Sequence, residues 1–111
     1  MSRDKTIIEG SDNVFDDLRL PDAAAELVKA QLTFQIAKRI KKLGLTQTSA
    51  AARLGISQPD VSRLMKRRPT GFSTDRLLAL LTALDIDVDI VLRPMSTPAR
   101  AAKVSIRDER P

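Results

Sequence analysis

The sequence predicts an all-α, compact domain of about five helices, with one C-terminal β-strand that pairs across a dimer. Three patterns predict it. From Ala25 to Leu43, apolar residues recur at gaps of three and four, as on one stripe of a helix. From Gln47 to Leu64, two short helical patterns are hinged on Gly55. From Ile86 to Arg93 the period changes to two, the mark of a strand with one buried face.

A chain of 111 residues has room for one domain. Hydrophobic residues make up 42% of it and aromatic residues 3%, so the core must be aliphatic. The expected organisation is an N-terminal arm and short packing segment over 1–20, a domain over 21–94 and a flexible tail over 95–111. Residues 1–12 are polar and aperiodic. Val14, Phe15, Leu18 and Leu20 then form a short apolar segment suited to pack on the domain.

Pro21 or Asp22 opens the first long helix, since Pro suits N1 and Asp the N-cap. Its inner stripe is Ala25, Val28, Leu32, Ile36, Ile40 and Leu43, and Gly44 stops it at C′. Thr46 caps the second helix. Ser57 caps the third, with Asp60 at N3 for a short capping box and Ile56 and Val61 spaced for a hydrophobic staple. Phe72, Ser73 and Leu77 repeat that staple and cap for the fourth helix. Its leucines, Leu77, Leu78, Leu80, Leu81 and Leu84, suit the core, with a surplus face for a partner. In the strand, Ile86, Val88, Ile90 and Leu92 share one face. A lone strand leaves its ladder unpaired, so it must pair with a second subunit or with another protein.

The hinge carries the functional signal. Ala51 is small where two helices cross closely, and Gly55 supplies the positive φ of a sharp helix-to-helix turn. Gln58, Pro59, Ser62, Arg63 and Lys66 are left facing outward. That is the arrangement of a DNA-binding helix-turn-helix, whose second helix enters the major groove. Gln58 can pair bidentately with adenine, and Pro59 offers apolar surface to a thymine methyl. Ser62 suits a base or a phosphate. Arg63 suits guanine, although a phosphate or solvent suits it as well. Gln47, Thr46 and Ser57 lie at helix starts, where a phosphate can sit, and capping alone accounts for both hydroxyl residues. Arg67, Arg68 and Thr70 follow the third helix and are placed for the DNA backbone.

Charge supports this reading. Residues 27–70 hold ten Lys or Arg against one acid, Asp60, for +9, whereas residues 1–26 carry −4. For Lys41 and Lys42, helix termination and solubility outweigh DNA contact. Asp12, Asp16, Asp17, Asp22 and Glu26 surround Val14, Phe15 and Leu18, a composition suited either to covering the core or to meeting a basic protein. Cysteine and histidine are absent, which removes disulfides, thiol nucleophiles, imidazole bases and the usual zinc sites. No nucleophile and base are suitably spaced, so no enzyme, metal or cofactor is expected. With no long apolar run and no signal peptide, a cytoplasmic protein without membrane contact is expected.

Residues 46–84 resemble the helix-turn-helix domain of the phage-repressor (Cro/CI, or Xre) superfamily. The wider run resembles a narrower group, small bacterial regulators similar to HigA-type antitoxins. It is carried by Asn13–Leu18, Gly44-Leu45-Thr46-Gln47, Gly71-Phe72-Ser73 and Val88–Leu92. The resemblance implies a homodimeric transcriptional regulator, a repressor bound to a palindromic operator in double-stranded DNA. It also implies an antitoxin that neutralises a RelE/HigB-like toxin and autoregulates its promoter. The alternative is a protein-binding antitoxin or interaction module whose DNA binding is secondary.

Overall fold

Four helices form among the residues that the computed structural model describes, 22–94 and 105–109. They are α1 (Asp22–Lys42), α2 (Gln47–Leu54), α3 (Gln58–Met65) and α4 (Thr74–Ala83). The arm and packing segment over 1–20, with any fifth helix there, lie outside the described residues, as does the tail over 95–104.

The stripe on α1 is the spine of the core. Val28, Leu32, Ile36 and Ile40 are buried, and so are Ala37 and Thr33 beside them. Thr33 is tolerated there because its hydroxyl donates to the Lys29 carbonyl at 2.7 Å. α1 packs on α4 and α3, while α2 packs on α3. Leu54, Val61, Leu64, Phe72 and the leucines of α4 close the core against that spine. Truncating any of these leucines to Ala would cost about 2–5 kcal/mol.

Each helix among the described residues ends in the same way. The N–H groups of Leu45, Ile56, Arg68 and Ile86 reach back five residues, to the carbonyls of Ile40, Ala51, Arg63 and Leu81, at 2.9–3.1 Å. This Schellman closure needs a left-handed residue just before the donor. Gly44 and Gly55 serve after α1 and α2 with φ of 70° and 69°. Arg67 and Asp85 do the same after α3 and α4, with φ of 60° and 66°. The turn between α2 and α3 is therefore fixed by Gly55 on one side and the Ser57 cap on the other.

Three regions of the single chain bear on these expectations. Residues 86–94 form no strand in this chain, and Val88, Ile90, Val91 and Leu92 are exposed, Leu92 to 86%. A ladder requires a second strand, and none exists among the described residues. The surplus face of α4 is largely consumed: Leu77, Leu80, Leu81 and Leu84 are all buried and Leu78 is half-buried. The end of the expected flexible tail returns to α1. There Ile106 packs against the core and Asp108 pairs with Lys38.

Candidate nucleic-acid interface

Thr46 caps α2 through a reciprocal capping box. Its Oγ1 accepts from the Ser49 N–H at 3.0 Å, and its own N–H donates to Ser49 Oγ at 2.9 Å. Ser57 caps α3 by accepting from the Asp60 N–H at 3.2 Å. Both hydroxyls are thus committed to helix starts. The exposed Gln47 lies on the first turn of α2, and Gln58 and Pro59 lie on the first turn of α3. Val61 and Leu64 turn inward and are fully buried. That orientation leaves Gln58, Pro59 and Lys66 exposed, with Ser62 half-buried between them. A strip about two turns long therefore faces solvent along α3.

Arg63 does not join the strip. Its Nη2 donates to Asp60 Oδ1, its Nη1 donates to the Thr70 carbonyl, and its guanidinium lies 5.1 Å from the centre of the Phe72 ring. Asp60 turns to Arg63. The hydrogen bond from Arg63 holds the Asp60 carboxyl below the usual carboxylate range, helped by the charges of Arg63 and Arg76 and the Ser57 hydroxyl, and opposed by desolvation. Arg67 stays exposed, with its guanidinium 4.8 Å from the centre of the exposed Phe34 ring on α1. Lys66 and Arg68 are exposed at the end of α3 with no intramolecular partner among the described residues.

Other cations of the basic segment serve the fold. Arg39 Nε donates to the Leu84 carbonyl at 2.9 Å, and Arg53 Nε donates to the Ala83 carbonyl at 3.1 Å. Arg53 also pairs with Asp85 at 2.8 Å. Sequence reasoning counted these arginines as charge and missed their work at the end of α4. The Asp60–Arg63 pair was legible in principle from its i,i+3 spacing on a helix.

Residues 14–93 match a family model described as a helix-turn-helix domain. A solved structure assigned to the XRE family of transcriptional regulators is similar, with 43% identity and a TM-score of 0.76. The match covers 80% of this chain and 100% of that one. The chain belongs to the Xre family of helix-turn-helix regulators. No curated protein matches it. As an Xre regulator it is a DNA-binding regulator of transcription, and the α2–turn–α3 pair lies within the matched residues. No described helix is long and apolar enough to cross a membrane.

Proposed function

We propose that this Xre regulator is a sequence-specific repressor that binds a palindromic operator as a homodimer. The observation that carries the proposal is the outward strip of Gln58, Pro59, Ser62 and Lys66 on a helix whose other side is locked into the core. Gln58 supplies a paired donor and acceptor for adenine, Pro59 an apolar surface, and Ser62 a short hydroxyl. Gln47, the starts of α2 and α3 at Thr46 and Ser57, and the exposed Lys66 and Arg68 hold phosphates. Arg63 is assigned a supporting role because its guanidinium is engaged within the chain, while Arg67, exposed over the Phe34 ring, keeps its donors for a phosphate.

The dimer is built through residues 86–93. Val88, Ile90, Val91 and Leu92 form an exposed apolar run next to the half-buried Ile86. Pairing with its two-fold copy would satisfy the ladder and cover the run. The test is selection of bound duplexes from a randomised pool. A two-fold symmetric sequence with half-sites roughly 34 Å apart is expected. Failure to enrich any sequence contradicts the proposal.

The same exposed run favours a second reading, in which a strand of another protein pairs with it. That is the antitoxin reading, with a RelE/HigB-like toxin as partner and the promoter of the operon as the regulated site. Co-expression with the product of a neighbouring gene separates the two. A stable complex that forms with wild-type protein and is lost in Val88→Pro supports the second; a homodimer indifferent to the neighbour supports the first.

A further inference from the structure

We propose that Arg63 is a positioning residue for DNA recognition, the clasp that fixes the segment Lys66–Phe72 relative to the start of α3. The inference rests on the DNA-binding reading and adds an assignment that the helix-turn-helix pattern does not make. In sequence, Arg63 occupies a position from which guanine could be read. In the fold it is spent on three contacts at once. Nη2 holds Asp60, one turn earlier on α3. Nη1 holds the Thr70 carbonyl, beyond the end of α3. The guanidinium face covers Phe72, which is buried to within 1% and leads into α4. A guanine contact needs two donors from one edge, and Nη1 and Nη2 each already give a proton within the chain, which fixes the direction in which the remaining donors point.

The turn is shaped to receive this arginine. The Phe72 N–H closes on the Pro69 carbonyl at 2.9 Å, with Gly71 at φ 90° in the third position, as in a type II turn. That turn presents the Thr70 carbonyl to Nη1. A Cβ on residue 71 would stand 2.9 Å from Nη1, so glycine serves both the backbone and the approach of the arginine. Asp60 is shared with Arg76 of α4 at 3.7 Å, and Arg76 lies 4.9 Å from the centre of the same Phe72 ring. Asp60, Arg63, Phe72 and Arg76 thus link α3 to α4. The link sets the offset between the base-facing residues Gln58 and Ser62 and the exposed cation Arg68, which follows α3.

Base reading, phosphate binding and positioning leave different signatures. The test uses full-length Arg63→Met, Asp60→Asn and the double variant, each confirmed as folded by circular dichroism at the assay temperature. The probe is the best duplex selected by the unmodified protein from a randomised pool, with every single-base variant of it. For Arg63→Met, affinity should fall about tenfold or more, by a similar factor for every duplex, with base preferences and salt slope unchanged. Asp60→Asn should weaken binding in the same even manner, and the double variant should be no weaker than Arg63→Met, because the two residues act as one unit. Loss of preference at one base pair would overturn the proposal in favour of base reading. A salt slope shallower by about one per protomer would overturn it in favour of a phosphate contact. Unchanged affinity in folded Arg63→Met and Asp60→Asn would reduce the clasp to stability alone. If the unmodified protein selects no duplex, the DNA-binding reading fails first, and separately.

Discussion

At the C-terminal end of α4, Arg39 and Arg53 donate to the carbonyls of Leu84 and Ala83, and Arg53 pairs with Asp85. Beyond the C-terminal end of α3, Lys66 and Arg68 stand in solvent with no partner among the described residues. Both regions draw on the same basic segment, and both helices end on a left-handed residue other than glycine. The difference lies in what surrounds them. The end of α4 meets α1 and α2, so its open carbonyls are satisfied by arginines from those helices. Beyond the end of α3, Arg67 lies over the Phe34 ring, while Lys66 and Arg68 have only solvent or an external anion to meet. A count of +9 over residues 27–70 therefore overstates the charge available to DNA.

The largest effect that would sharpen this contrast is on binding. If about six phosphates are neutralised per dimer, log K falls with log salt at a slope of roughly −5. Replacing both Lys66 and Arg68 by Ala should remove about four of those contacts and bring the slope to roughly −2. Filter binding across a salt series measures it. An unchanged slope would place the phosphate contacts elsewhere.

Arg53→Ala should do the reverse. It removes a cap and an ion pair at an exposed helix end, a loss of about 1 kcal/mol in urea unfolding, with the salt slope of DNA binding intact. A slope that falls while stability holds would move Arg53 to the DNA face.

The smallest effect concerns acid. The carboxyl of Asp60 titrates lower in the fold than in the unfolded chain, chiefly because Arg63 donates to it. Its contribution to stability is complete above the unfolded pKa and is lost as the pH falls through the lower, folded one. Asp60→Asn should therefore be less stable than wild type near neutrality and lose less stability on acidification. Parallel pH profiles for the two proteins would contradict the pairing.

Legibility in the sequence followed the same division. The stripe of α1, the three hydroxyl caps at Thr46, Ser57 and Ser73, and the turns at Gly44 and Gly55 were all readable. Each depends on residues close in sequence with a single steric or hydrogen-bonding purpose. The ends of α3 and α4 were not, because Arg67 and Asp85 carry no glycine signal for the conformation they adopt. Helical periodicity places Arg63 outward, yet its long side chain reaches past the end of α3 to a turn seven residues on. The strand pattern over 86–93 was visible, but a period of two specifies a face and leaves the partner open. Of the candidate site, Gln47, Gln58, Pro59, Lys66, Arg67 and Arg68 stand exposed and Ser62 half-buried, whereas Arg63 is turned to another task.

The central claim is that the solvent face of α3 reads sequence, and Gln58 is its clearest reader. The most direct measurement is the affinity of Gln58→Ala for the selected duplex and for each of its single-base variants. A bidentate contact is worth about 1–3 kcal/mol of discrimination. The account predicts that preference disappears at one base pair per half-site, an adenine, while the other positions and the salt slope keep their wild-type values. Wild-type discrimination at every position in Gln58→Ala would contradict it.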